Sequence, residues 1–137
     1  MKSIKPFFLS SKKIKAKKAL KILQKKYKHY SFEEANVVIV LGGDGTILPL
    51  VNDKSFIKKN IFGMNRGTVG FLMNNYEAEN LLDRIKSSKV TKLNPVYMKV
   101  TDIFNKIHLA FSLNEVSLLR QNRFAANIRV KINSKVK

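Results

Sequence analysis

Short apolar runs in the first 95 residues have the pattern of buried strands. Residues 37–41 are continuously apolar and rich in β-branched side chains, which is typical of a strand covered on both faces of a parallel sheet. Residues 61–65 form a similar run. Residues 4–9 predict a short first strand, in which Pro6 is tolerable only at an edge or at the start. We therefore predict a parallel sheet.

Helical periodicity follows the first predicted strand. Apolar side chains recur at steps of four, three and four, at Ala16, Leu20, Leu23 and Tyr27. Lysines cover the opposite side, so the pattern predicts an amphipathic helix from Ser11 onward. Ser10 or Ser11 is the predicted N-cap.

Two more helices are predicted after the later strands. Residues 46–52 predict a short helix with Pro49 in its first turn, where a missing N–H is tolerated. A second apolar stripe comprises Ala78, Leu81, Leu82 and Ile85. Glu77 and Glu79 are favourably placed if they lie in the first turn of that helix. The predicted order is strand, helix, strand, helix, strand, helix.

The pattern changes to an all-β one after Pro95. Residues 96–104, 107–119 and 124–132 read as extended segments with no helical pattern between them. We predict an α/β domain over residues 1–95 and the first strands of a β-rich domain over residues 96–137. A sheet of about three strands can bury little of its own face. We therefore expect this chain to be the front part of a longer protein.

Composition and charge narrow the function classes. The 137 residues include no cysteine, which excludes disulfides and thiolate metal sites, and no long apolar run occurs. We expect a cytoplasmic protein with no membrane partner. The formal charge is +18, but the first 28 residues hold eleven lysines and no acid. We interpret these lysines mainly as a solvated helix face, with polyanion binding as the alternative. Nucleic acid is not the predicted partner.

Three glycines surround one aspartate directly after the 37–41 strand. Gly42, Gly43 and Gly45 allow a sharp turn and let a phosphate approach main-chain N–H groups. The spacing matches neither of the two common nucleotide-binding glycine motifs. Asp44 is then placed to accept a proton from an attacking hydroxyl during phosphoryl transfer. The alternative is an Asp-Gly turn that only connects a strand to a helix.

Three segments carry a family resemblance. LGGDGT at 41–46 resembles the signature shared by NAD kinases, diacylglycerol kinases and phosphofructokinases. GMNRGTVGFL at 63–72 and SLNEVSLLR at 112–120 resemble further NAD kinase segments, in the family's order. The resemblance implies a Rossmann-like α/β domain followed by a β-rich domain. It also implies transfer of phosphate from ATP or polyphosphate, with Mg²⁺ or another divalent metal, to the 2′-hydroxyl of the adenosine ribose of NAD.

The resemblance also implies residue roles. Asp44 is the general base, and Gly45 lies beside it at the ribose. Leu48 and Phe71 line the NAD pocket, although Phe71 taken alone is typical of a core residue. Asn114 and Glu115 orient NAD, although a strand-end turn is the more typical explanation of that pair from the residues alone.

Other residues receive no site role. His29 and His108 have no carboxylates at metal-ligand spacing, so we predict no protein metal site. Asn65 and Arg66 either assist binding of the phosphate donor or form a turn. Two later family motifs, Asp-Gly and Thr-Pro-x-Gly-Ser-Thr-Ala-Tyr, do not occur in this sequence. The resemblance implies that they complete the NAD pocket and the subunit assembly, so we expect the 137 residues alone to be inactive. The alternatives are a lipid or sugar kinase of the superfamily and a catalytically silent nucleotide- or polyanion-binding module.

Overall fold

A parallel sheet lies at the centre of the first part of the chain. The computed structural model describes residues 3–51, 53–56, 58–68, 70–113 and 115–136. Within these ranges the sheet has the order β1–β2–β3, and its strands are β1 (Pro6–Ser10), β2 (Val37–Gly42) and β3 (Asn60–Asn65). Pro6 begins an edge strand of this described sheet, as its missing N–H requires. The predicted α/β class with a parallel sheet is confirmed.

Both faces of β2 are covered, which explains its unbroken apolar sequence. All six residues of the strand are buried. Val37, Ile39 and Leu41 belong to one core cluster, and Val38 and Val40 belong to another. Because successive side chains of a strand point to opposite faces, the two clusters lie on opposite sides of the sheet.

Helix α1 (Ile14–Lys26) packs on the first of these faces through Ala16, Ala19 and Leu23. The predicted apolar stripe is confirmed, with Leu20 and Tyr27 partly buried against the same cluster. The predicted N-cap is wrong. Lys13 is the N-cap and makes no capping hydrogen bond with its side chain. Both serines precede the N-cap position: Ser10 belongs to β1, and the Ser11 N–H continues the strand pairing by donating to the Leu41 carbonyl at 2.9 Å.

Helix α2 (Asp44–Val51) begins two residues before its predicted start. The Thr46 N–H donates to the Gly43 carbonyl at 2.8 Å, which closes the first turn directly on the glycines. Pro49 is therefore the sixth helical residue, and its prediction as a first-turn residue is wrong. It has no N–H to offer the Gly45 carbonyl one turn earlier. The buried residue of α2 is Ile47, which joins the second core cluster.

Helix α3 (Leu81–Ser87) begins later than its apolar stripe suggests. Its N-cap, Asn80, has a left-handed backbone with φ 51°. The Tyr27 hydroxyl donates to the Ala78 carbonyl at 2.8 Å and accepts the Leu81 N–H at 3.2 Å, so it fixes the helix start against α1. Glu77 and Glu79 consequently precede α3, and their prediction as first-turn residues is wrong.

The chain divides into two compact units, Met1–Asn94 and Pro95–Lys137. The second unit contains two antiparallel pairs, formed by β4 (Val96–Thr101) with β5 (Ile107–Ser112) and β6 (Lys131–Ile132) with β7 (Lys135–Val136).

The extended segments predicted for the second unit are longer than its strands. Residues 102–104, the described residues of 113–119 and residues 124–130 belong to no strand, so those parts of the prediction are wrong. No described residue of this unit is buried, so the unit has no core of its own on which longer strands could pack. The domain limits expected from the sequence stay a prediction.

Candidate functional site

The carboxyl ends of the three parallel strands meet at one edge of the sheet, where the following loops surround a pocket of about 360 Å³. Ligands of open α/β sheets bind in this location. The loop after β1, the β2–α2 turn and the loop after β3 all contribute to the lining. The lining residues are Ser11, Lys13, Gly43, Asp44, Gly45, Thr46, Gly67 and Thr68.

The base of the pocket is a close main-chain contact between two loops. The Gly42 carbonyl accepts the Arg66 N–H at 2.7 Å and the Gly67 N–H at 3.0 Å. A Cβ on Gly67 would lie 3.3 Å from the Gly43 Cα, and a Cβ on Gly42 would overlap the Thr46 side chain. A side chain at Gly42 would therefore overlap Thr46 within the same loop, and one at Gly67 would crowd the backbone of the other loop.

Gly45 has a different environment from these glycines. It is exposed in the first turn of α2, and a Cβ built there would meet no heavy atom within 4 Å. Its backbone does not adopt a positive φ. The packing and conformation of the described chain therefore do not require glycine at this position, and the space in front of it is open to a ligand.

The Asp44 carboxylate is held by two main-chain amides. One carboxylate oxygen accepts the Phe71 N–H at 2.8 Å, and the other accepts the Leu72 N–H at 3.0 Å. The side chain is partly buried and lines the pocket. A carboxylate offers about four lone-pair sites, so two remain for a ligand hydroxyl. Asp44 therefore combines a fixed position with free acceptor capacity, which an Asp-Gly connection alone does not require.

The loop after β3 is stabilised by its own side chains. The Asn65 amide oxygen accepts the Gly67 N–H at 2.8 Å, which forms a turn. The Arg66 guanidinium lies 4.0 Å from the centre of the Tyr76 ring and is not among the pocket-lining residues. Of the two interpretations offered for Asn65 and Arg66, turn formation is the one these contacts support.

Phe71 projects from the same loop and is 91% exposed, so its interpretation as a core residue is wrong. Leu48 is partly buried in α2. Both residues are linked to the pocket residue Asp44. The Phe71 N–H donates to its carboxylate, and Leu48 lies in the helix that Asp44 begins. Their contact with NAD stays a prediction.

The predicted pair in the second unit is only half described. Asn114 lies outside the described residues. Glu115 is exposed, and its carbonyl accepts the Ser112 hydroxyl at 2.7 Å. The orientation of NAD by this pair stays a prediction.

Both histidines form hydrogen bonds with other residues of the chain. The His29 Nδ1 accepts the Phe8 N–H at 3.3 Å, and the His108 ring bonds to Asp102 at 3.0 Å. The hydrogen bond with His108 is the main cause that holds the pKa of Asp102 below its ordinary value, and the hydrogen bond from the Lys106 N–H is the second.

Sequence reasoning missed several lining residues, among them Ser11, Lys13, Thr46 and Thr68. The sequence pattern predicts Ser11 as an N-cap and Lys13 as part of a solvated helix face. The signal that identifies them is topological. In a parallel sheet, residues just after each strand share one edge with the residues just after its neighbours, so the loops after β1 and β3 belong beside the Gly-Asp-Gly turn.

The pocket favours anions. Lys13 contributes a cation, and the N-terminal ends of α1 and α2 carry unpaired N–H groups at the positive ends of the helix dipoles. Asp44 is the one carboxylate among the described lining residues. In the part of the chain that the structure describes, no three His, Asp or Glu side chains are grouped closely enough to hold a metal ion.

Comparison with known proteins finds similarity to one family. The family model described as the ATP-NAD kinase N-terminal domain matches residues 7–89. The NAD kinase of Hyphomonas neptunium is 40% identical over 130 residues, covering 95% of this chain and 51% of that protein. The NAD kinase of Brucella melitensis is 42% identical over 131 residues, with the same coverage, and that of Rickettsia canadensis is 40% identical over 111 residues, covering 81% and 44%.

The chain spans about half the length of the curated relatives it matches. None of the helices in the described ranges combines the length and apolar character needed to cross a bilayer.

Proposed function

The chain belongs to the NAD kinase family, and from that membership we propose that the whole protein transfers a phosphoryl group to the 2′-hydroxyl of the adenosine ribose of NAD, producing NADP. The observation that carries the proposal is the position of Asp44. Its carboxylate lines an anion-favouring pocket at the carboxyl edge of the sheet and is held by two main-chain amides.

Asp44 acts as the general base in this proposal. Hydrogen bonds from Phe71 and Leu72 fix the carboxylate, and its remaining lone pairs accept the proton of the ribose hydroxyl. The exposed first turn of α2 lets the ribose approach at Gly45. Phosphoryl transfer depends mainly on positioning and charge stabilisation, and the pocket contributes Lys13, helix N-termini and the hydroxyls of Thr46 and Thr68.

We assign ATP or polyphosphate as the donor and Mg²⁺ as the metal that accompanies it. A single carboxylate that already accepts two N–H groups is a poor protein cage for Mg²⁺, which is usually bound through substrate phosphates and few carboxylates. The residues therefore fit a metal that would enter with the donor and lie near Asp44, where it would offset charge on the phosphates.

The remaining assignments extend to the whole protein. Asn114 and Glu115 orient the NAD, and Leu48 and Phe71 line its pocket. Residues 1–95 form the α/β domain that carries the Gly-Asp-Gly turn, and residues 96–137 begin a β-rich domain. We also propose a cytoplasmic homo-oligomer. These assignments rest on the resemblance of the three sequence segments.

Asp44→Asn tests the base. We expect turnover to fall about 10²- to 10⁴-fold while NAD affinity changes only a few-fold, because the amide cannot accept the proton. The asparagine side chain would also place its NH₂ group opposite one of the two main-chain N–H groups that the carboxylate accepts. The Phe71 and Leu72 amide signals in an NMR spectrum therefore report how far the loop is disturbed.

Asp53→Asn is the matched control, because Asp53 is an exposed carboxylate that also accepts a main-chain N–H, from Ser55 at 2.9 Å. It should leave turnover unchanged. An Asp44→Asn protein with the wild-type rate would refute the assignment of the base. Parallel assays with NAD, diacylglycerol and fructose 6-phosphate separate the proposed activity from those of the related lipid and sugar kinases.

A further inference from the structure

The outward side of α1 carries lysines grouped around one isoleucine. At about 100° per residue, this group covers an arc of about 100° on the helix surface. The arc lies opposite Ala16, Ala19 and Leu23, which are buried against the sheet. We call the group the basic face, and all of its side chains are exposed. Its members are Ile14, Lys17, Lys18, Lys21 and Lys25.

The charge of the basic face is not compensated by nearby acids. Helix α1 contains no acidic residue, and among the residues that the structure describes no carboxylate forms an ion pair with the four lysines of this face. By contrast, Lys26 of the same helix pairs with Glu79. From Ile14 to Lys25 the helix advances about 16 Å. The basic face therefore presents four cations without partners in the described chain along about three turns of helix.

Exposed apolar side chains accompany these cations. Ile14 is 74% exposed, although isoleucine is among the residues most often buried. Ile22 is 51% exposed and follows Lys18 by four residues, so it lies beside the basic face on the helix surface. A partner that matches this surface offers both negative charge and an apolar environment.

We propose that the basic face of α1 binds the surface of a bilayer that contains anionic lipids. Clusters of about four to eight lysines or arginines on a helix are typical of segments that bind anionic head groups. The ammonium groups of the four lysines contact the head groups, and Ile14 and Ile22 reach the boundary with the acyl chains. The proposal is independent of the NAD kinase activity.

This contact differs from a membrane span. The expectation of no membrane partner rests on the lack of a long apolar run in the sequence, which concerns helices that cross a bilayer. A helix that lies on the surface needs no such run. The apolar stripe of α1 stays packed on the sheet, so binding requires no rearrangement of the fold.

Nucleic acid is the main competitor for the same charges. Proteins that bind single strands stack the bases on aromatic side chains or on arginine. The basic face contains neither, and its exposed isoleucine has no role in a contact with phosphates alone. An anionic bilayer is therefore the partner that uses both the lysines and the isoleucine.

Vesicle sedimentation with the 137-residue chain tests the role of the lysines. The vesicles contain phosphatidylcholine and phosphatidylserine in equal parts. Each lysine near an anionic surface contributes about fivefold in affinity, so the double variant Lys21→Gln and Lys25→Gln should bind about 30-fold more weakly. The control is Lys54→Gln with Lys58→Gln, which removes the same charge at the same spacing from exposed positions. These positions flank Phe56, which packs on the other side of the sheet, so the control should bind like the wild type.

Tryptophan fluorescence tests the contact of the isoleucine with lipid. The chain contains no tryptophan, so Ile14→Trp introduces a single probe. Its emission should move to shorter wavelength with the anionic vesicles and stay unchanged with pure phosphatidylcholine, because indole settles at the interface only where the lysines bind. The control Lys54→Trp should show no shift with either vesicle, and single-stranded RNA should cause none in Ile14→Trp.

Three results would overturn the proposal. They are an unchanged vesicle affinity of the Lys21 and Lys25 variant, an equal loss in the control variant, and an Ile14→Trp emission that does not respond to anionic vesicles. Binding of RNA with the same dependence on Lys21 and Lys25, without a fluorescence shift on vesicles, would assign the face to nucleic acid instead. Neither measurement involves NAD or a phosphate donor, so each outcome leaves the proposed kinase activity untouched.

Discussion

Replacing Gly45 by alanine separates the needs of the fold from those of the ligand. The added methyl group meets no heavy atom of the described chain within 4 Å, and the backbone is not in the left-handed region. Glycine in a helix is less favourable than alanine, because the unfolded chain loses more freedom on folding. We therefore expect Gly45→Ala to raise the free energy of unfolding by about 0.4 to 1 kcal/mol.

Activity should change in the opposite direction. The methyl group would extend into the space where we place the ribose beside Asp44. Displacing reacting groups by about 1 Å costs roughly 10²-fold in rate, so NADP formation by the whole protein should fall by about that factor. A more stable protein with lower activity is the expected combination.

Urea denaturation of the 137-residue chain measures the first effect. With a slope of about 2 kcal/mol per M, the midpoint should rise by about 0.2 to 0.5 M. Gly63→Ala is the contrasting variant, because its Cβ would lie 2.7 Å from the Ile47 Cδ1 and overlap the Met73 sulfur. It should lower the free energy of unfolding by about 1 to 3 kcal/mol. Wild-type activity in Gly45→Ala would refute the approach of the ribose at this glycine, and a loss of stability would refute the conformational argument.

Two other predictions concern the helix start and the hairpin turn. Tyr27→Phe removes the hydroxyl that bridges two main-chain groups before α3, so urea denaturation should show a loss of about 1 to 3 kcal/mol that the control Tyr30→Phe does not share. The hydrogen bond from His108 holds the pKa of Asp102 below its ordinary value of 3.8. The folded-state pKa is the lower one, so the stabilisation of the β4–β5 turn is complete above the ordinary value and is lost as the pH falls through the folded pKa. An NMR titration of the Asp102 carboxyl checks this, and a pKa at or above the ordinary value would contradict it.

The sequence predicts the elements whose signal is hydrophobic periodicity. The apolar run of β2 is buried on both faces, and the stripe of α1 packs on the sheet, because burial of apolar area dominates both choices. The glycines after β2 are a second signal, since a Cβ on Gly42 would overlap the Thr46 side chain and the Gly43 backbone lies against Gly67, whereas Gly45 is open to a ligand.

Features that depend on tertiary hydrogen bonds could not be predicted in this way. The Ser11 N–H bonds to the Leu41 carbonyl across the sheet, so the strand pairing continues through Ser11 and the helix starts only after Lys13. The start of α3 depends on Tyr27, which is 54 residues away from Leu81 in the chain. Lys13 looks like any other lysine of a polar helix face until the strand ends are brought together. Each of these outcomes is decided by a partner that is distant in sequence.

The main-chain base of the pocket limits how its specificity can change. At Gly42 and Gly67 there is no side chain to exchange, and an added Cβ would overlap the Thr46 side chain or crowd the Gly43 backbone. The rest of the lining includes the side chains of Ser11, Lys13 and Thr68, so a substitution there exchanges one side chain for another. Engineering of this site for other phosphate compounds should therefore keep the glycines and change the lining side chains. Sequence differences among related proteins should likewise be concentrated at the lining side chains.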